Sequence, residues 1–386
     1  MIHALPGRLK LAGPLAAVAL LAAACGGGDK PAEQAPAAGA QAPAAAEEKV
    51  LNVYNWSDYI APDTIAKFEQ ETGIKVNYDV YDGNEVLEAK LIAGRSGFDI
   101  VVPSAHFLER QIRQGIYRKL DKSKLPNLKN VDAGKMQNLA LYDPNNEHAV
   151  PYMWGTVGIG YNVDQVRKAL GGPITSWQAI LDPANAKKLQ SCGIALLDAP
   201  TEMVDSVLIA LGRDPNSEKE EDLKAAEDAL LKIRPFVRYF HSSQYITDLA
   251  NGEICVAVGY SGDVLQARDR AAEAGKGVKI AYSVPGEGAQ IWFDTLAIPA
   301  DAPHPNNAHL FIDFLHRPEI AAAISNYVNY ATPNTAAKPL VDEGVRNDPG
   351  VFPPDEVQAK LKPSLTESQE YGRLLTRSWT RVKTGQ

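Results

Sequence analysis

From Lys49 onward, short apolar runs alternate with amphipathic segments. Residues 50–54 read as a strand, 62–72 as a helix opened at Pro62 and stopped by Gly73, and 74–81 as a second strand. Residues 85–93 read as a helix ended by Gly94, and 99–102 as a short buried strand. This βαβαβ order predicts a parallel sheet covered by helices. Ligands of such sheets sit beyond the carboxyl ends of the strands, so the residues just after each strand are the first to read. They are Asn55, Trp56, Ser57, Asp58 and Tyr59 after the first strand, and Pro103, Ser104, Ala105 and His106 after the third. Further on, 156–162, 193–197 and 254–260 read as strands and 176–180, 203–211 and 219–231 as helices, with 198–202 and 261–263 again at strand ends. Two α/β lobes facing one another would bring the two sets of strand ends together.

A chain of 386 residues suits about two domains. With 39 basic against 47 acidic residues, the charge of −8 argues against a nucleic-acid binder with a basic stripe and fits a cationic partner better. Three Cys exclude a disulfide-framework miniprotein, and seven scattered His give no pattern for a metal site. No repeat is present, and no apolar stretch after the N-terminus is long enough to cross a membrane.

The N-terminus reads as an address. Arg8 and Lys10 precede an apolar run over 11–24, too short to span a bilayer, which ends in Leu21-Ala22-Ala23-Ala24-Cys25 and three glycines. Residues 1–25 are therefore expected to be a secretory signal, and small residues before Cys25 resemble the bacterial lipoprotein signal, with Ala22 where that motif has Leu. Plain signal cleavage near the Ala run is the alternative. If Cys25 is lipidated, Gly26, rather than Asp, in the next position implies the outer membrane. Residues 26–48 are dominated by Ala, Pro, Gly, Glu and Gln and read as a flexible tether.

Three aromatic and acidic pairs stand out in the body: Trp56 with Asp58, Tyr260 with Asp263, and Trp292 with Asp294. In the first and last, the period-two spacing puts both side chains on one face of an extended chain. An aromatic face beside a carboxylate suits an ammonium group. The competing reading is that the aromatics fill core while the acids cap helices or turns. Catalytic patterns are weaker. Gly259-Tyr260-Ser261-Gly262-Asp263 forms no nucleophile elbow, and Gly155-Thr156-Val157-Gly158-Ile159-Gly160 has its glycines in the wrong order for a dinucleotide loop. His304, His309 and His316 lack the spacing of a zinc protease and read as a solvated helix face. Paired carboxylates leave an exported glycosidase as a remote alternative. Cys192 and Cys255 each lie beside a predicted strand. An oxidising compartment favours their pairing, with two buried free thiols as the alternative.

Four strings carry a resemblance over nearly all of 50–386: Val53-Tyr54-Asn55-Trp56-Ser57-Asp58-Tyr59-Ile60, Val101-Val102-Pro103-Ser104, Leu197-Asp198-Ala199-Pro200 and Tyr239-Phe240-His241-Ser242-Ser243-Gln244-Tyr245. With them the chain resembles the periplasmic polyamine-binding proteins of bacterial ABC transporters, most closely the putrescine-binding branch. The resemblance implies a type II periplasmic-binding fold in which each lobe is a mainly parallel sheet with flanking helices, with the ligand in the inter-lobe cleft. Lobe I would comprise 49–154 plus 285–333, and lobe II 155–284 plus 334–386, with crossings near 151–155 and 283–286. It further implies no enzymatic activity, no cofactor, a monomer, and partners limited to a polyamine, an ABC permease and its ATPase. The membrane would be touched only through a lipid anchor.

Carried over by resemblance, the ligand-binding residues are Trp56, Ser57, Asp58, Tyr59, Ser104, His106, Glu202, Tyr260, Asp263, Trp292, Asp294 and Tyr330. Asp294 would hold one ammonium with Asp58 nearby, Glu202 and Asp263 would serve the far side, and Trp56, Tyr260, Trp292 and Tyr330 would line the methylene chain. The Cys192–Cys255 pair also matches a disulfide of the family. Ala199 agrees with the putrescine branch and Trp292 with spermidine binders, while His106 and Tyr260 depart from the putrescine pattern. The expected ligand is therefore putrescine, with spermidine also accommodated. The alternatives are another cationic amine, or a sensor feeding a membrane receptor.

Overall fold

The computed structural model describes residues 47–386. The expected signal, Cys25 and most of the tether lie outside the described residues. The carboxylate of Glu47 accepts from the backbone N–H groups of Asn306 (2.9 Å) and Asn307 (3.0 Å), at the start of the helix Pro305–Leu315.

The first strands follow the sequence pattern. β1 (Val50–Trp56) lies between β2 (Lys75–Tyr81) and β3 (Ile100–Val101) and is parallel to both. The helices Thr64–Thr72 and Asn84–Ile92 make the two connections. β4 (Ala149–Asn162) starts well before the expected 156, and all fourteen of its residues are buried. Pro151 masks this in the sequence, because proline donates nothing to a ladder. The strand accommodates it at an irregularity in register between Pro151 and Met153.

The later strands are β5 (Ile194–Leu196), β6 (Val237–Phe240), β7 (Val256–Tyr260), β8 (Ile280–Ser283), β9 (Ala289–Ala297) and β10 (Leu361–Pro363). They complete a ten-stranded sheet ordered β2-β1-β3-β9-β4-β7-β5-β6, with β10 beside β9 and β8 beside β4. β5 runs parallel to β6 and β7, whereas β4 is antiparallel to β7, β8 and β9. The sheet is thus parallel within each end group, β2-β1-β3 and β7-β5-β6, as expected for the two lobes, and the groups are joined through antiparallel pairs of β4 and β9, with β10 parallel to β9. β4 joins the ends: its first half pairs with β9 and its second half with β7 and β8.

One further expectation is corrected. His309 and His316 are buried, not on a solvated face. His309 Nε2 accepts from the N–H of Asp121 (2.9 Å), while His316 lies against the carbonyls of Ile312 (2.8 Å) and Pro151 (2.9 Å). Buried imidazoles are tolerated because backbone groups replace their water contacts. Among the described residues no helix is long and apolar enough to cross a membrane.

Cys192 and Cys255 form a disulfide with 5.3 Å between Cα atoms, just ahead of the paired starts of β5 and β7. Closing a loop of sequence separation 63 restricts the unfolded chain. Cys192→Ser is therefore expected to reduce the unfolding free energy by about 2–4 kcal/mol under oxidising conditions, with reductant bringing the wild type to the same level. Identical wild-type melting curves with and without reductant would contradict this.

Candidate functional site

The strand ends meet at a narrow cleft. Its walls form a chain of edge-on and tilted rings. Trp56, at the end of β1, is 6.3 Å from Tyr260 at the end of β7, and Tyr260 is 5.9 Å from Trp292 on β9. Trp292 is in turn 5.1 Å from Tyr330, which is 5.2 Å from Tyr59. This packing requires two glycines. A Cβ on Gly155 would come within 2.5 Å of the Trp292 ring, and one on Gly262 within 2.6 Å of the Tyr330 ring. Any side chain there would push an aromatic wall into the cleft.

Two carboxylates sit among these rings. Asp294 shares the β9 face with Trp292, as the period-two spacing requires, and accepts from the Ser104 hydroxyl at 2.6 Å. Ser104 is held by Asn84, which accepts its N–H and donates to its Oγ, each at 3.1 Å. Asp263 stands in the first turn of the helix Ser261–Glu273 and accepts from the hydroxyls of Tyr330 and Tyr245, both at 2.7 Å. The fully buried Tyr245 hydroxyl also accepts from the N–H of Tyr260, tying the aromatic wall to the acid. Burial pushes both carboxyls up to about 7, even though the hydroxyl donors pull the other way. Among the described residues the Tyr59 hydroxyl has no partner in hydrogen-bond geometry, but it lies near enough to Asp294 to favour its ionised form.

A third acid, Glu202, occupies the first turn of the helix Pro200–Ala210 and lines the same cleft. Burial, and then Glu85, hold it well above the usual carboxylate range, and burial likewise pushes Glu85 up to about 7. The nearest imidazole is His106, with Nε2 at 3.9 Å from Glu202 Oε1. Burial drives His106 down to about 3, so the ring is neutral and gives Glu202 no counter-charge.

The structure thus gathers Trp56, Ser57, Tyr59, Ser104, Glu202, Tyr260, Asp263, Trp292, Asp294 and Tyr330 around one cleft. It places two other expected residues differently. Asp58 lies past the end of β1 at φ 55°, so the extended spacing that would align it with Trp56 breaks, and its carboxylate pairs with Arg270 at 2.6 Å. His106 lies behind Glu202, outside the lining. Sequence reasoning missed Asp82 and Ser242, which do line the cleft. Asp82 directly follows β2 and was within reach of the strand-end rule, but Ser242 follows β6, a strand the hydrophobic pattern did not disclose. Among the described residues, no His, Cys, Asp and Glu are grouped to hold a metal ion.

Residues 63–353 match the family of bacterial extracellular solute-binding proteins. Over 343 residues the chain is 56% identical to the putrescine-binding periplasmic protein SpuD of Pseudomonas aeruginosa, covering 88% of this chain and 94% of that one. It is also 56% identical to the putrescine-binding periplasmic protein PotF of Escherichia coli over 344 residues, covering 88% and 93%. The chain belongs to the extracellular solute-binding proteins. A solved relative, the spermidine/putrescine ABC transporter substrate-binding protein PotD of Streptococcus pneumoniae, superposes with a TM-score of 0.70 at 27% identity, covering 87% of this chain and 99% of its own. The fold is accordingly the type II periplasmic-binding architecture.

In this solute-binding protein the raised carboxyls set a pH signature. A carboxyl raised to about 7 in the fold adds stability below its unfolded value, and that contribution is lost as pH rises through about 7. Asp263→Asn should therefore raise the melting temperature of the ligand-free protein most near pH 8 and clearly less near pH 5, where the folded carboxyl holds its proton and only the unfolded one is ionised. Calorimetric melts at both pH values check this. A variant destabilised equally at both would contradict it.

Proposed function

We propose that the protein captures putrescine in the periplasm and delivers it to an ABC permease driven by its ATPase. One observation carries the reading: acids at both ends of an aromatic box, with no Lys or Arg among the described residues forming an ion pair with Asp263, Asp294 or Glu202. Burying a charge without a partner costs several kcal/mol, and a bound dication supplies what the chain withholds. Its ammonium groups reach the acids, while the tetramethylene chain lies against Trp56, Tyr260, Trp292 and Tyr330. A monoamine leaves one end uncompensated. The 56% identity to two putrescine-binding relatives supports the same ligand.

In this reading lobe I (49–154 plus 285–333) and lobe II (155–284 plus 334–386) rotate about the middle of the sheet, where β4 and β9 pair. The ligand favours closure because both lobes contact it. The 2.6 Å Asp58–Arg270 pair is then a strap between lobes beside the ligand. The mature protein works as a monomer, held to the outer membrane by a lipid on Cys25.

Isothermal titration of protein freed of ligand by refolding tests the reading. Putrescine should bind one-to-one at micromolar strength or better, about −8 kcal/mol, with a monoamine silent. Asp263→Asn should weaken putrescine by about 2 kcal/mol or more, roughly 30-fold. Absence of heat with every polyamine in a folded sample would overturn the assignment.

A further inference from the structure

Residues 363–368 run from the end of β10 to the start of the helix Gln369–Thr384 and are held from two sides. One side belongs to lobe II. Asn216 donates to the Pro363 carbonyl (3.0 Å) and accepts the N–H of Leu365 (2.7 Å), the Ser364 hydroxyl donates to Asp205, and the N–H of Ser368 donates to Glu218 (2.6 Å). The helix that follows is fixed to the same lobe, with Trp379 donating to Asp198 (2.7 Å) and Arg381 paired with Glu227. The other side belongs to lobe I. There the Tyr142 hydroxyl donates to the Ser364 carbonyl (2.8 Å), the Thr366 hydroxyl donates to the His106 carbonyl (3.0 Å), and Arg110 Nη1 donates to Glu367 Oε1 (3.1 Å).

Arg110 is pre-set for its contact. Its Nε and Nη2 form a fork on Glu88 (2.7 and 2.8 Å), and its guanidinium carbon lies 3.8 Å from the centroid of the Phe107 ring, all within the helices Asn84–Ile92 and Ala105–Arg113 of lobe I. A guanidinium held this way keeps its place with or without Glu367, so its third arm makes and breaks one bond without rearranging its own lobe. The contact lies at the Glu202 end of the cleft: Thr366 bonds to His106, whose ring is 3.9 Å from Glu202. Neither Thr366 nor Glu367 lines the cleft itself. The Asp58–Arg270 pair lies by Asp263, so each acid end of the cleft carries its own link between the lobes.

We infer that Arg110, Thr366 and Glu367 act as a clasp that holds the two lobes together at the Glu202 end of the cleft, in the free protein and over a bound ligand. This rests on the lobe division and the polyamine reading proposed above. A ligand enters and leaves through the open form, so the clasp lengthens the ligand's residence without touching it. Arg110 and Glu367 are positioning residues in this sense, acting on binding through the closure of the lobes.

Thr366→Val, Glu367→Gln and the double variant of the full chain test the clasp, and in all three Arg110 keeps its fork on Glu88. Putrescine dissociation followed by stopped flow should be about threefold faster in each single variant and about tenfold faster in the double, with association no slower than in the wild type. X-ray scattering of the ligand-free double variant should give a larger radius of gyration than the ligand-free wild type, and saturating putrescine should bring the two together. Unchanged dissociation, slower association, or equal radii of the free proteins would overturn the clasp. A folded wild type that binds no polyamine would overturn the diamine reading alone. The radii of the free proteins then decide the clasp, expansion of the variant supporting it and equality overturning it.

Discussion

Two buried carboxylates, Asp263 and Asp294, with no Lys or Arg among the described residues paired to them, are the constraint around which the rest of the cleft is arranged. An isolated charge in such a place is unstable, and the protein meets the problem part-way. Tyr245, Tyr330 and Ser104 give enough hydrogen bonding to keep the acids in place, and burial keeps them close to balance between charged and neutral forms. The site is strained electrostatically until a cation arrives. In the proposed reading, selectivity for charge follows from that strain, and selectivity for length from Glu202 lining the same aromatic-walled cleft.

The fold supplies this geometry with parts far apart in the chain. Asp294 and Trp292 ride on β9, Asp263 opens a helix after β7, Ser104 opens one after β3, and Tyr330 arrives from beyond the helix Pro318–Val328. β4 and β9 run side by side through the middle of the sheet, so the ladder that unites the two ends also positions an acid. Gly155 on β4 and Gly262 let the rings approach this ladder closely. Rigidity at the floor and contact from both sides are what a hinge-closing binder needs.

Much of this was legible in the sequence. Alternation of apolar runs and helices marked β1, β2 and β3, and the strand-end rule pointed to Trp56, Ser57, Tyr59 and Ser104, all of which line the cleft. The Trp292 and Asp294 spacing was readable because β9 is extended at that point. Asp58 failed the same test because the chain turns to positive φ right after the strand. β4 was hidden in its first half by Pro151, and β6 was too short and too polar for its pattern to speak, which kept Ser242 out of view. The supporting roles of Asn84 and Tyr245 depend on contacts with residues 20 and 18 positions away, which no local pattern encodes. Glu85 and His106 owe their character to burial by distant segments, as their shifted ionisation shows.

The central claim is that the acids of the free cleft hold protons which the ligand expels. Titration of putrescine near pH 7 in buffers of differing ionisation enthalpy measures this directly, since the slope of observed heat against buffer enthalpy is the number of protons exchanged. The account predicts net release of about one proton or more per ligand, reduced but not abolished in Asp263→Asn, because Asp294 and Glu202 still give up theirs. Binding with no proton release in the wild type would mean that the carboxylates are already ionised in the free protein, and would contradict it.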